Sequence, residues 1–528
     1  MRTVQHRPVA VLGVTAALVL LATSVAPSAS ATTTTGPSAA VTLKVMSQNI
    51  FYGGDDLVPS TETFCPVADG CPENLLRIER VIRMSGADVV GLQEAERNTD
   101  VIAKALGWYS SARDHVISRF PIVDPPDGDG VYVFVEPSPG RVVAVANVHM
   151  PSDPYGPYAV RDGATRAQVL ELERTVRLPA IQTQLKVLPE LAAQGIPVFL
   201  TGDFNSPSYL DWTAAVAKVR PDVKYPVVWP VSKALADAGL KDSYREAHPD
   251  PVAVPGFTWT PGSPEADLHE VFDRIDWVLH AGPVTTLAST VVGEVGDVDA
   301  GVQVSPYPSD HRGVVSTFRV RPAVSPVLVA PMTRRLSTGQ SLGVTFHALG
   351  QSGERVGVVL AGTGPASMVF SLDTHGRTDG TLFFGGALTA TLAPAAYDVL
   401  LISPQSQVLS RSPFWLYPPG THASITTDSS TYTVGQPIGV SWDHAPGMAL
   451  DWVGVFRCYP AGCAGNGGYL LYWYTHTAIR GSGVIGPGAD TFPGAISWPL
   501  PPGTYVVRLL TDDGYKSIAV SARFTVTG

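Results

Sequence analysis

Six short polar tags, each closing an apolar run that reads as a buried strand, hold the residues of this chain that could do chemistry: Ser47-Gln48-Asn49, Leu92-Gln93-Glu94, Ala146-Asn147-Val148-His149, Thr201-Gly202-Asp203-Phe204-Asn205, Asp273-Arg274-Ile275-Asp276-Trp277 and Ser309-Asp310-His311. Strand ends that face one edge of a sheet can bring such carboxylates, carboxamides and imidazoles together. The inventory suits a metal-assisted attack on phosphate, because hard oxygen donors hold a hydrated divalent cation while imidazoles donate to phosphoryl oxygens.

The runs that must position these tags alternate with helical patterns. Leu43 to Ile50, Ala87 to Leu92, Val142 to Val148, Pro197 to Leu200, Ile275 to Leu279 and Gly313 to Val320 read as strands, several of them nearly continuously apolar, as strands covered on both faces are. Leu75, Ile78, Val81, Ile82 and Ser85 follow helical spacing, with Pro72 suited to the first turn and Gly86 to the stop. Leu178, Ile181, Leu185, Leu188 and Leu191 predict a second helix, which Pro189 should kink or divide. Mixed strands and helices over residues 42–321 predict a layered α/β domain.

Past Pro322 the helical patterns stop. Two segments of about a hundred residues follow, 322–418 and 421–528, the usual size of an immunoglobulin-like sandwich. Gly339-Gln340-Ser341-Leu342-Gly343-Val344 is echoed by Gly435-Gln436-Pro437-Ile438-Gly439-Val440, and Val356-Gly357-Val358 by Val453-Gly454-Val455. Order and spacing recur, which a duplication explains. Asp451-Trp452-Val453-Gly454-Val455-Phe456 is also similar to a motif of SKICH-type β sandwiches. The two β modules are expected to act as spacers or to bind glycan, wall or protein surface, leaving the chemistry on soluble substrates to residues 42–321.

With 528 residues the chain is too long for one core. Arg2, His6 and Arg7 precede an apolar stretch from Val9 to Val25 and then Ala29-Ser30-Ala31, which reads as a secretory signal over 1–31, followed by a Ser/Thr/Ala-rich linker over 32–41. The protein is therefore expected to be secreted and extracellular, with no stable membrane insertion. Its four cysteines fall into close pairs, Cys65 with Cys71 and Cys458 with Cys463, which an oxidising compartment would favour as local disulfides. Residues 42–321 hold 24 Lys+Arg against 36 Asp+Glu, whereas 322–528 hold 10 of each. That acidity argues against a broad basic track for polyanions but does not exclude a nuclease, since bound cations reverse the local field.

Taken together, residues 42–320 resemble the endonuclease/exonuclease/phosphatase superfamily of deoxyribonuclease-I-like phosphoesterases. The resemblance rests on all six tags in order, with Gly202-Asp203-Phe204-Asn205 matching its G-D-x-N tag and Ser309-Asp310-His311 its closing S-D-H. It implies a four-layer α/β/β/α sandwich, here followed by the two all-β modules. It further implies that Asn49, Glu94 and Asp310 lie beside a cation, Mg²⁺ or alternatively Mn²⁺ or Ca²⁺. By the same resemblance Asp203 orients or deprotonates the attacking water, Asn205, His149 and His311 donate to phosphoryl oxygens, and Asp276 orients His311. Ser118-Arg119-Phe120-Pro121-Ile122 matches a further tag, read as mainly structural.

The implied activity is metal-dependent hydrolysis of a phosphate mono- or diester by in-line attack of water. Two other readings stand beside it: an extracellular nuclease acting on DNA or RNA, and a non-catalytic secreted binding or adhesion protein. Substrate choice would lie in the loops between tags, where Tyr155, Tyr158 and Arg161 serve either to stack on a ring or to pack the loop.

Overall fold

The tagged runs form strands whose alternate side chains face different layers, as a period of two requires. We number them β1 (Val41–Asn49), β2 (Val89–Gln93), β3 (Arg141–His149), β4 (Val198–Asp203), β5 (Asp276–Ala281) and β6 (Gly313–Val320). The computed structural model describes residues 39–55, 72–260, 270–465, 468–486 and 498–528, of which 39–528 belong to one compact unit. The expected secretory signal, most of the linker and the Cys65/Cys71 pair lie outside the described residues.

Among the described residues, two seven-stranded sheets make the α/β region. The first runs Ala300–Val304, Val284–Glu294, β6, β1, β2, Val116–Ser118 and Tyr109–Ser111; the second contains Ile122–Val123, Val133–Ser138, β3, β4, β5 and Lys241–Asp242, with Ala323–Val324 also on β3. Leu43, Val45 and Val89 of the first sheet and Val143, Val145 and Phe199 of the second share one core between the sheets. The opposite face of the first sheet, Met46, Val90 and Leu92, packs on α1 (Pro72–Ser85) through Ile78, Val81 and Ile82. On the far side Ala144, Ala146, Leu200 and Leu279 pack on Leu188 and Leu191 of α2 (Gln182–Ala193). The layers are thus α/β/β/α. Helix α1 stops at Gly86, whose φ of +68° suits a residue without Cβ. Helix α2, by contrast, continues through Pro189 without being divided there.

Register decides where the tags meet. β3 and β4 are parallel with His149 opposite Asp203, and β4 and β5 are antiparallel with Asp203 opposite Asp276. In the first sheet Asn49 lies opposite Gln93, and antiparallel β6 begins at the edge where β1 ends. All six tags therefore lie at one edge of the sandwich. Just beneath it a polar ladder ties the sheets: Gln93 Nε2 donates to Asn147 Oδ1 (2.6 Å), Thr201 Oγ1 donates to the same oxygen (3.0 Å), and Gly202 N donates to Ser47 Oγ (3.0 Å). The sheets approach so closely here that a Cβ on Gly91 would lie 1.9 Å from Thr201 Oγ1.

Beyond residue 322 the structure is almost wholly β. Leu328–Pro331, Leu342–His347 and Asp379–Phe384 form one sheet against a five-stranded one, and Ser424–Thr427, Ile438–Asp443 and Gly481–Ile485 repeat that arrangement against a seven-stranded one. A disulfide joins Cys458 to Cys463 across a hairpin. No helix among the described residues is long and apolar enough to cross a membrane.

The Arg274 side chain of the fifth tag is buried between Asp211 (2.9 Å) and Asp242 (2.6 Å), and its guanidinium also faces the Tyr244 ring. Truncating one partner of a buried ion pair typically costs about 3–5 kcal/mol, because the charges left behind have no compensation. Arg274→Ala is therefore expected to lower the midpoint of chemical denaturation by a corresponding amount; an unchanged midpoint would contradict this structural role.

Candidate active site

At the tag-bearing edge, β4 delivers Asp203 almost fully buried, and two imidazoles converge on it. Its Oδ2 lies 3.7 Å from His149 Nε2 and 3.6 Å from His311 Nε2, and it accepts a hydrogen bond from Asn49 Nδ2 at 3.1 Å. The same Asn49 carboxamide donates to Glu94 Oε1 (3.0 Å), while Tyr52 N donates to Glu94 Oε2 (2.8 Å). His311 is aligned by Asp276, whose Oδ2 lies 3.0 Å from its Nδ1. Ser309 ties the last tag to β1 by donating to the Asn49 carbonyl (2.8 Å) and accepting from His311 N (3.1 Å). The structure thus brings together Asn49, Glu94, His149, Asp203, Asp276 and His311, with Asn205 and Asp310 on the same cavity wall.

The G-D-x-N tag serves two ends. Asp203 Oδ1 accepts from Asn205 N (2.9 Å), an Asx turn, and Asn205 Nδ2 donates to the Met150 carbonyl (3.0 Å), locking its position beside the cavity. Glu94 and Asn205 hold positive φ angles of 54° and 46°, a conformation that costs energy for residues with a Cβ and that recurs at functional sites.

Electrostatics favour doubly protonated imidazoles. Burial opposes charge on His149, but Asp513, Asp203 and Glu94 outweigh it and hold its pKa up to about 10. Burial likewise opposes charge on His311, and Asp276 and Asp203 raise it well above the ordinary imidazole value. Both rings then present Nε2–H as a donor. Asp310 is pushed up to about 7, chiefly by burial, which the attraction of His311 opposes and the smaller repulsions of Glu94 and Asp203 reinforce.

A cation would relieve that repulsion. Asp310 Oδ1 is buried without a hydrogen-bond partner, and with Glu94 it supplies the hard oxygens that Mg²⁺, Mn²⁺ or Ca²⁺ prefers. Asp203, Asp276 and His311 also offer ligand atoms within 4.8 Å of one another. Because His311 Nδ1 is committed to Asp276, that trio acts as a carboxylate–imidazole relay rather than a cage, leaving Glu94 and Asp310 to hold the ion.

Trp259 of the cavity wall and the supporting Thr258 and Arg177 escaped the sequence reading. Trp259 stacks obliquely near His311, ring centres 4.9 Å apart, and Thr258 Oγ1 accepts from Ile275 N and Asp276 N, fixing the start of β5. Tyr155 and Tyr158 pack edge to face at 4.8 Å on the cavity wall while their hydroxyls donate to Asp273 and Glu270, which is the loop-packing role of the two weighed for them. The buried Arg177–Glu173 pair clamps the neighbouring loop, Arg177 Nη2 donating to the carbonyls of Ser152 and Pro154.

The expectation that residues past 322 stand apart from the chemistry is corrected. Asp513 Oδ2 lies 2.5 Å from His149 Nδ1, and Trp452, Tyr469, Tyr472, Tyr474 and Tyr515 line the same cavity of about 320 Å³. An isolated β segment gives no sequence signal that it will fold back on a distant strand end. The alternating tyrosines of Tyr472-Trp473-Tyr474 were the nearest hint, since they place two tyrosines on one strand face.

A family model described as the endonuclease/exonuclease/phosphatase family matches residues 46–311. An uncharacterized protein of Caenorhabditis elegans is 30% identical over 268 residues, covering 46% of this chain and 84% of that protein. The chain belongs to the endonuclease/exonuclease/phosphatase family. Among solved structures, the endonuclease/exonuclease/phosphatase from Bacteroides vulgatus matches at 15% identity with a TM-score of 0.32, covering 53% of this chain and 99% of that one. TDP2 of D. rerio complexed with a single-strand DNA product matches at 18% identity with a TM-score of 0.31, over 52% of this chain and 98% of that one. An AP endonuclease from Archaeoglobus fulgidus matches at 13% identity with a TM-score of 0.31, over 52% and 98%.

Asp276 contributes the largest charge effect raising the His311 pKa. Replacing its negative charge in Asp276→Asn should therefore move that pKa down, toward the ordinary imidazole value of about 6.5. Imidazole NMR titration of the two proteins measures the shift, and a value that stays put or rises would refute the pairing.

Proposed function

We propose that this chain is a secreted, divalent-cation-dependent phosphoesterase that hydrolyses a small or accessible phosphate ester by in-line attack of water. The observation that carries the reading is the convergence of two imidazole Nε2 atoms, at 3.6 and 3.7 Å, on the single buried oxygen Asp203 Oδ2. Donors of that kind stabilise phosphoryl oxygens as charge develops, and a carboxylate between them is in reach of a water's proton. Asp203 orients and deprotonates the water, His149, His311 and Asn205 donate to the phosphoryl oxygens, and Asp276 holds His311 in line. When bound, the cation neutralises phosphate charge, with Glu94 and Asp310 as its carboxylates and Asn49 beside them. Asn49 aligns Glu94 through its carboxamide.

The cavity favours a compact ester over a nucleic-acid polymer. Glu94, Glu96, Asp153, Asp203, Asp310 and Asp513 line it, and among the described residues no lysine or arginine does. A continuous polyanion needs positive charge along its track. We read the region past residue 322 as two immunoglobulin-like sandwiches, 322–418 and 421–528, and residues 1–31 as the secretory signal.

Purified protein is to be assayed on bis-p-nitrophenyl phosphate, p-nitrophenyl phosphate, plasmid DNA, RNA and sphingomyelin, with Mg²⁺ or with chelator. Hydrolysis of a nitrophenyl ester that Mg²⁺ supports and chelator abolishes is expected. No metal-dependent turnover of any substrate would leave a binding protein as the better account. Asp203→Asn, His311→Ala and Glu94→Ala should each lower kcat by about 100-fold or more, because each removes a base, a donor or a cation ligand.

A further inference from the structure

The residues past Leu510 reach the site through a built device. In the second β module, Asp451 is buried and holds a tight loop: its Oδ1 accepts from Thr511 Oγ1 (2.9 Å) and Asp512 N (3.1 Å), and its Oδ2 from Gly447 N (2.9 Å) and Met448 N (3.0 Å). Trp452 Nε1 donates to the Gly514 carbonyl at 3.0 Å. So fixed, Asp512 and Asp513 both stand at positive φ, 63° and 61°. Asp512 pairs with the buried His115 of the α/β region (2.7 Å), and Asp513 reaches His149 Nδ1 while accepting from the Tyr474 hydroxyl (2.8 Å).

The duplication supplies an internal comparison. In the first module Val356 pairs with Leu401, and in the second Val453 pairs with Leu509, so the two loops correspond: Ser403, Pro404 and Gln405 stand where Thr511, Asp512 and Asp513 do. The strand preceding each loop is alike, and a buried acid opens the paired strand in both modules, Glu354 accepting from Gln351 N as Asp451 does from Met448 N, yet only the second loop carries acids. Packing of the β fold does not require acids at positions 512 and 513.

The same module lines the cavity with aromatic faces set at steep angles: Tyr469 to Tyr472 at 75°, Trp452 to Tyr515 at 85°, while Tyr515 also leans on Tyr52 of the α/β region at 6.0 Å. Rings beside a carboxylate-lined phosphate site offer π faces and no cationic partner for a second phosphate.

We infer that the second β module is a working wall of the active site, in which Asp513 positions His149 and the tyrosine wall selects phosphate esters whose other substituent is a planar ring. This deepens the proposed activity and rests on it. Asp513 accepts a hydrogen bond from His149 Nδ1–H, which leaves Nε2–H aimed at Asp203 and the phosphoryl oxygens, as Asp276 does for His311. A planar substituent then stacks against Tyr469 or Tyr515, displacing water from apolar faces.

The test uses the full chain with Mg²⁺ and two diesters sharing one leaving group, methyl p-nitrophenyl phosphate and phenyl p-nitrophenyl phosphate. The wild type should prefer the phenyl ester in kcat/KM, and Tyr469→Ala combined with Tyr515→Ala should cut that preference about tenfold, the scale of losing one stacking partner. Asp513→Ala should lower kcat on both esters about tenfold or more while KM changes little, and Asp513→Glu should restore part of it. Asp513→Asn, which keeps the shape, should shift the ¹⁵N resonances of the His149 ring in the absence of any substrate. A wild type without ring preference would overturn the selective wall, and unchanged kcat together with unchanged His149 resonances would overturn the positioning role. Absence of Mg²⁺-dependent turnover of either ester by the wild type would instead strike the phosphoesterase reading, while the His149 resonances would still report on Asp513.

Discussion

Burying a carboxylate at a strand end is the constraint on which this structure turns. Asp203 is 1% exposed, and an isolated charge there would cost several kcal/mol. The His149 and His311 rings, each drawn into the imidazolium form by acids around it, offset that cost. Asp276 and Asp513 then hold the rings, so the centre becomes an alternation of acid and imidazole in which each member depends on the next. Removing any one weakens the compensation of the charges beside it.

That alternation explains features of the scaffold that otherwise look arbitrary. The sheets must approach closely enough for an Asn49 carboxamide of one to reach an Asp203 carboxylate of the other, and Gly91 provides the room. The ladder of Ser47, Gln93, Asn147 and Thr201 fills the seam with paired polar groups, so the tags contain structural as well as reacting members. The last tag works similarly, with Ser309 fastening the loop while Asp310 and His311 face the cavity. Two helical layers shield the outer faces, leaving one edge for chemistry.

The β region adds a second source of order. In a chain whose α/β part carries the acidity, its second module contributes two further acids directly to that part, and they are tolerated because each meets a histidine: Asp512 at His115 and Asp513 at His149. The contact is reinforced away from the cavity, where Arg113 Nε donates to the Gly447 carbonyl (3.0 Å) and Thr477 Oγ1 to Asp129 (2.9 Å). A surface of this kind couples module position to imidazole orientation.

The chain of residues by itself determined the strands, the helix ending at Gly86, the duplication and the identities of Asn49, Glu94, His149, Asp203, Asn205, Asp276, Asp310 and His311 as members of one centre. The strands and the helix follow from local periods, whereas the site residues follow from the resemblance of six ordered tags to a family; four of the tags close a strand, while 273–277 and 309–311 lead into the next one. Of the two effects expected of Pro189, a kink or a division, division did not occur, since packing of Leu188 and Leu191 carries the helix past it. Only the folded structure decided that Asp513, some 360 residues from His149 in sequence, would be its partner. Pairing across that separation depends on how two independently patterned β surfaces pack, and side-chain packing between distant segments leaves no periodic trace in the segments themselves.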